Sequence, residues 1–388
     1  MNPSARLARV PPFPFARWAA SCHAAEARGI DLIRLDIGNP DLPPPPAVIE
    51  AATRAVRRPT EHGYPGYRGS ETLRHAICSY YQRRFGVSLD PDAQVSCLLG
   101  SKEGIVHLQQ AILDPGDVVL VPDPGYAPYC GGAGLAQANT IRFPLSESNE
   151  RQPVFEAIPE EVAQRATLVW LNYPNNPTGA VGTAELFERA VRFARCFDLL
   201  LCHDAPYTEV RFDGCRPGSI LQVPGAAEVA VEFNSLSKAY NMPGWRVGYA
   251  VGNPDALDLL RRIKSNLDSG MFLPLQHAAV AALETDDAWI EERNAVYRER
   301  LELIAEVLCT IGLPVRVPRA THYLWIGLPE GQSAERFALR LLDETGIALA
   351  PGTFFGPGGE GHVRLSVTVS SERVREAAER LSSWRPMS

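Results

Sequence analysis

The chain has no uncharged apolar run of helix-spanning length, and its first ten residues lack the apolar segment of a signal peptide. A helical membrane protein and a secreted one are therefore not expected, which leaves the cytoplasm as the expected compartment and no membrane as a partner. Positive charge is in short supply too: 38 Lys and Arg stand against 45 Asp and Glu, for a net charge of -7. That balance gives no basic footprint for nucleic acid. The eight cysteines, Cys22, Cys78, Cys97, Cys130, Cys196, Cys202, Cys215 and Cys309, include no Cys-x-x-Cys pair. Buried thiols are expected in place of disulfides or zinc ligands, and no metal site is expected. There is no internal repeat and no low-complexity tract. What is present is bulk: 388 residues, 45% hydrophobic, enough for one large core and a smaller second one.

Patterning then gives an order of elements. Residues 10–15 are too rich in proline for a helix and read as an extended arm. Helices are expected at 16–28, 47–57, 71–85, 105–113, 183–197 (capped by Thr183) and 255–265, then in one long pattern running past Arg300, and again at 334–345 and 372–384. Strands are expected at 31–37, 94–99, 117–121, 140–145, 167–171, 199–202, 228–232, 323–326 and 362–367. Alternation of strands and helices over roughly two hundred residues indicates an α/β fold with a mainly parallel sheet covered by helices on both faces. The tail, with shorter elements, suggests a smaller α+β domain packed with the N-terminal arm. The expected division is 1–45 for the arm, 46–285 for the large domain and 286–388 for the small one.

In a sheet of this kind ligands sit beyond the carboxyl ends of the strands, and the chain places its unusual residues there. Residues 233–249 follow a strand and hold Ser235, Ser237, Lys238 and Arg246, with Pro243 and Gly244 turning the chain between lysine and arginine. Two hydroxyls, a guanidinium fork and an amine able to condense with a carbonyl suit a phosphorylated cofactor. The turn Gly100-Ser101-Lys102-Glu103-Gly104 lies between a strand and a helix, where free amides and the helix dipole favour an anion. Gly38 ends another strand, where the lack of a side chain leaves room for a ligand. Asn172 to Gly179 is dense in turn formers, and His203-Asp204-Ala205-Pro206-Tyr207 closes a further apolar strand. Each motif alone also fits an ordinary turn.

Taken together, Asn176-Pro177-Thr178-Gly179, Asp204 with Tyr207, Ser235-Leu236-Ser237-Lys238, Arg246 and Arg364 resemble, in order and spacing, the fold-type I pyridoxal-phosphate enzymes of the class I/II aminotransferase family. The likeness extends from Gly38 beyond Arg364. It implies that Lys238 holds pyridoxal 5'-phosphate and shuttles a proton between substrate and cofactor in a ping-pong aldimine/ketimine cycle. It further implies that Asp204 keeps the pyridine nitrogen protonated, that Asn176 and Tyr207 bond the ring's phenolic oxygen, and that Tyr126 stacks on the ring. The phosphate would lie among Ser101, Lys102, Ser235, Ser237 and Arg246, with Tyr64 reaching it from the partner subunit of a homodimer. Arg364, at the end of a tail strand, would bind the substrate α-carboxylate, aided by the Gly38 amide.

Within the family the likeness is nearest to the LL-diaminopimelate aminotransferases, through residues 100–104, 172–179 and Lys264-Ser265-Asn266-Leu267-Asp268-Ser269-Gly270. There Lys102 would contact substrate. Phe13 stands where those enzymes carry a tyrosine, which takes away a hydroxyl and opens the site to neutral, methionine-like or aromatic donors. A lyase or decarboxylase on the same scaffold is the alternative reaction, since the fold does not determine the chemistry. A transcriptional regulator on this fold is disfavoured, because the catalytic fold begins within the first forty residues or so. His322 is unusual and reads as a surface or core histidine.

Overall fold

The computed structural model describes residues 2–10 and 12–386. Its strands, in chain order, are β1 (Ile33–Arg34), β2 (Val95–Leu98), β3 (Val118–Asp123), β4 (Asn139–Pro144), β5 (Ala166–Asn172), β6 (Leu200–Asp204), β7 (Ala230–Ser235), β8 (Gly248–Gly252), β9 (Tyr323–Gly327), β10 (Ile347–Ala348), β11 (Ala350–Pro351) and β12 (His362–Ser366). Seven of them form one sheet in the order β2-β8-β7-β6-β5-β3-β4. All neighbours are parallel except β8, which runs antiparallel to both β2 and β7.

The interior strands are apolar on both faces because both faces are covered. In β5, Val169 and Leu171 point into a core shared with the helices Glu71–Phe85 and Ala184–Phe197. The alternate residues Leu168 and Trp170 point into a second core, shared with the helices Ser101–Ile112 and Pro254–Lys264. A third core joins the two ends of the chain: Trp18, Cys22 and Leu35 pack with Leu341, Leu365 and Leu381. Its backbone seams are the parallel pair β1–β10 and the antiparallel sheet β11-β12-β9. Helix Asp287–Thr310 bridges the cores, with Ile290 in the first and Leu301 and Ile304 in the third.

Several elements differ from expectation, for local reasons. A short helix, Ala5–Ala8, capped by Ser4, precedes the arm, and the next helix begins at Pro14, inside the stretch read as extended; proline is tolerated in the first turn. Pro11, in that same stretch, lies outside the described residues. The 31–37 strand shrinks to Ile33–Arg34: the Leu35 N–H still donates to the β10 carbonyl of Ala348 at 3.0 Å, but its carbonyl turns to accept from Ser366 N of β12 at 2.7 Å. The 105–113 helix starts earlier, at Ser101. Strand β7 starts later than expected, after a 3-10 turn at Ala226–Glu228. The long pattern past residue 270 is two helices, Leu273–Leu283 and Asp287–Thr310, the second capped by Asp286 accepting from Trp289 N at 3.1 Å. All eight cysteines are free, but Cys196 and Cys309 are exposed and Cys78 and Cys130 half-buried, so the expectation of buried thiols holds for only the other four. No helix among the described residues is long and apolar enough to cross a membrane.

Candidate active site

A cavity of about 390 Å³ opens where β5, β6 and β7 end, roofed by the N-terminal residues Phe13, Phe15, Ile37 and Gly38. Its lining holds four cations, Lys102, Lys238, Arg246 and Arg364, and one carboxylate, Asp204. Such an excess of positive charge in a partly enclosed space favours an anionic ligand. Ser101, Tyr126, Asn176, Tyr207, Ser235 and Ser237 line the same cavity. Of the residues expected to bind cofactor or substrate, Tyr64 alone stands apart: it is 90% exposed and outside the lining.

Lys238 sits in the one-turn helix Leu236–Ala239, directly after β7, and its ammonium donates to the carbonyl of Gly38. Burial, helped by the charges of Arg364 and Arg246, pulls its pKa down to about 8. The neutral, nucleophilic amine is thus available at far lower pH than on a solvated lysine. Asp204, the last residue of β6, is buried, and burial raises its carboxyl to about 6 even though the Tyr129 hydroxyl and the charge of His203 pull the other way. Tyr129 donates to Oδ2 at 2.8 Å, whereas Oδ1 is buried with no partner. A buried carboxylate oxygen left without a donor is costly, so this one fits a ligand that brings an N–H. Behind it, His203 bonds Glu232 Oε2 at 2.8 Å and the Tyr173 carbonyl at 3.0 Å.

At the other end of the cavity, Arg246 adopts a left-handed backbone (φ 57°) and donates to the carbonyls of Pro243 at 2.8 Å and Leu99 at 3.4 Å. The guanidinium lies so near Gly100 that a Cβ there would come 2.2 Å from Nη2, and the φ of 86° at Gly100 also calls for glycine. Ser235 Oγ accepts from Ser237 N at 3.2 Å. The Lys102 ammonium lies 4.4 Å from the centre of the Phe13 ring, and burial, together with the charge of Arg246, lowers its pKa.

Arg364 lies in the middle of β12, opposite Trp325 and Ala350, not at a strand end as expected. Its position is tight: Nη1 donates to Asn176 Oδ1 and Nη2 to the Asp36 carbonyl, both at 2.7 Å, while Tyr323 and Phe355 present ring centres 4.2 and 4.7 Å from the guanidinium carbon. Nε is buried without a partner. Tyr207 and Tyr323 share a hydrogen bond of 2.8 Å between their hydroxyls. Gly38 proves necessary for a reason other than ligand approach alone, since a Cβ there would lie 2.1 Å from the Tyr323 oxygen. Tyr126 meets Tyr129 edge-on, with centroids 5.7 Å apart. His322 is a core residue, caged by the rings of Tyr207, Tyr297 and Tyr323.

Among the contributors not expected from the sequence are Tyr129 and Tyr323. Tyr129 becomes a partner of Asp204 only through the docking of helix Pro128–Leu135, where it also stacks on Trp170 at 4.8 Å. Tyr323 comes from the other end of the chain. Neither stands in a motif, and only the tertiary fold identifies them.

The aminotransferase class I and II family model matches residues 30–381. The LL-diaminopimelate aminotransferase of Desulforudis audaxviator is 48% identical over 97% of this chain and 96% of its own length, and that of Gloeobacter violaceus is 46% identical over 99% and 98%. Among solved structures, substrate-bound BacF from Bacillus subtilis superposes with a TM-score of 0.93 at 36% identity, covering 98% of this chain and 97% of BacF. A probable N-succinyldiaminopimelate aminotransferase from Thermus thermophilus gives 0.90 at 40% identity, covering 95% of this chain and 99% of its own. A fold-type I α/β architecture, the cation-lined cavity and near-full-length similarity agree, and the chain belongs to the class I and II aminotransferases.

Proposed function

We propose that this aminotransferase uses pyridoxal 5'-phosphate to move an amino group from an L-amino acid, with LL-diaminopimelate as the leading donor, to 2-oxoglutarate. The observation that carries the reading is the unpartnered Oδ1 of Asp204 in the same cavity as the low-pKa amine of Lys238. Asp204 Oδ1 would accept from a protonated pyridine nitrogen, and the amine of Lys238 would be placed to condense with the cofactor's carbonyl. Ser101, Lys102, Ser235, Ser237 and Arg246 would hold the phosphate, Tyr126 would cover one ring face, and Asn176 and Tyr207 would meet the phenolic oxygen. When bound, the cofactor supplies an electron sink for the substrate's α-carbon.

The protein's own groups then do the rest. Arg364 binds the substrate α-carboxylate, using the free Nε and the Nη1 now resting on Asn176. Lys238 Nζ, kept weakly basic by burial, would take the substrate's α-proton and pass it to the cofactor's C4′ within the same half-reaction. Asp204 stays ionised opposite a cationic ring nitrogen, which removes the cost of its burial. Lys102 at the cavity mouth, held against the Phe13 ring, suits a distal carboxylate. The names of the relatives support the same donor. The phenyl face of Phe13, without a hydroxyl, favours neutral or aromatic donors as the second reading.

We further propose a homodimer in which the exposed Tyr64 reaches the partner's phosphate, a cytoplasmic location, and the division 1–45, 46–285 and 286–388. A donor panel of LL-diaminopimelate, glutamate, methionine, alanine and phenylalanine with 2-oxoglutarate tests the central reading. LL-diaminopimelate should give the highest kcat/KM and bleach the yellow cofactor band. Preference for methionine or phenylalanine would instead make Phe13 the arbiter of specificity, and release of ammonia without formation of glutamate would mean elimination.

A further inference from the structure

Lys264 ends the helix Pro254–Lys264 inside the protein, with its side chain 2% exposed, and donates to Glu103 Oε1 at 2.8 Å and Asp268 Oδ2 at 2.6 Å. Each carboxylate has a second task. Glu103 Oε1 also accepts from Leu99 N at 2.8 Å, and the Leu99 carbonyl in turn accepts from Arg246 at 3.4 Å. Asp268 Oδ1 accepts from Gly270 N at 2.7 Å. Gly270, at φ 92°, is packed so closely that a Cβ would lie 2.2 Å from the carbonyl of Gly66, in the loop that carries Tyr64. One buried ammonium therefore connects the segment flanking Arg246 and Ser101 with the turn against which the Tyr64 loop rests. His107 also faces the cluster, with Nδ1 4.0 Å from Glu103 Oε2.

A buried ion pair is a weak source of net stability, since desolvation offsets most of the attraction, and its best-attested use is to impose one arrangement on its neighbours. Here the neighbours are the two segments that our proposed function assigns to phosphate binding, one in each subunit's site. We propose that Lys264 is a positioning residue for the cofactor phosphate, holding residues 99–103 and the 266–270 turn in register so that the Arg246 clamp and the Tyr64 loop are preset before the cofactor arrives. This rests on the reading of the cavity as a pyridoxal-phosphate site.

The test compares the wild-type protein with Lys264→Met, Asp268→Asn and Glu103→Gln, by pyridoxal-phosphate titration and by amide hydrogen exchange of the cofactor-free protein. Lys264→Met should weaken cofactor binding roughly 10- to 100-fold and speed exchange at least about tenfold in both 64–70 and 99–104, with kcat at saturating cofactor within about threefold of wild type. Asp268→Asn should loosen 64–70 alone and Glu103→Gln 99–104 alone, so these two keep the test open if Lys264→Met does not fold. The cofactor defect of Asp268→Asn should vanish in a Tyr64→Phe background, since the two lie on one path. Cofactor affinity within about twofold of wild type for all folded variants, or a uniform rise in exchange across the chain, would overturn the role. If the wild-type protein itself binds no pyridoxal phosphate, the cavity assignment falls, and the phosphate role of Lys264 with it.

Discussion

Asp204 combines two properties that normally exclude each other: it is buried, and it keeps one oxygen without a donor. Its carboxyl stands at about 6, above the usual 3.8, so between these values the folded state binds more protons than the unfolded one. Stability from this group is therefore present at low pH and is lost as pH rises through about 6. Asp204→Asn removes the penalty. The cofactor-free variant should be more stable than wild type at about pH 8, by an amount on the order of 2 kcal/mol, and the gap should close below about pH 4. Urea denaturation at the two pH values measures this; no gain at the higher pH would mean that burial is not what perturbs Asp204. Turnover should move the opposite way and fall by orders of magnitude, because the asparagine no longer holds a charge against the ring nitrogen. Lys238 mirrors the case, with burial favouring the neutral amine that the chemistry requires.

At the scale of elements, Lys102 and Lys238 meet because the turns after β2 and β7 converge on one edge of the sheet, where Arg246 enters just before the antiparallel β8 and Arg364 is brought in by β12. That much could be read from the chain. Ser235, Lys238 and Arg246 follow an apolar run, and Asp204 closes another, so strand patterning and turn chemistry together located most of the site. Glu71–Phe85 and Ala334–Thr345 could be read to the residue, since Ser70 caps the first and Gly346, at φ 73°, stops the second. Less legible was whatever depends on two distant segments meeting. The brief pairing of β1 with β10, the Tyr129–Asp204 bond and the Lys264–Glu103 bond leave no local pattern, because each is a contact between elements whose own periodicity is satisfied without it. Arg364 does line the cavity but sits in mid-strand and not at a strand end, for alternation reveals which face a residue takes and not where the ladder stops. The turn at Gly100 offers a prediction at this scale. Gly100→Ala drives a Cβ into the Arg246 guanidinium and disfavours the local backbone, so cofactor affinity should drop at least about tenfold while the fold persists. Fluorescence titration with pyridoxal phosphate checks it, and unchanged affinity would show that Arg246 is free to take another rotamer.

On the scale of the whole molecule, three cores hold the site between them: two grip the large sheet, and the third brings the chain's ends over its edge as a roof. Under the proposed function, a roof built partly from the first forty or so residues and partly from β9 and β12 gives the substrate end to one set of elements and the cofactor end to another. The proposed homodimer extends this division to a second chain. Mixing Lys238→Ala with Tyr64→Ala protein and allowing subunits to exchange should restore activity to about a quarter of wild type, since about half the dimers are hybrids with one intact site. Recovery no greater than the sum of the parents would place Tyr64 outside the partner's site. The expectations about catalysis depend on which lysine carries the cofactor. Reducing the pyridoxal-phosphate-loaded protein with borohydride and mapping the modified peptide by mass spectrometry addresses that directly: the account predicts a single pyridoxyl label on Lys238, and a label on any other residue, or none at cofactor saturation, would contradict it.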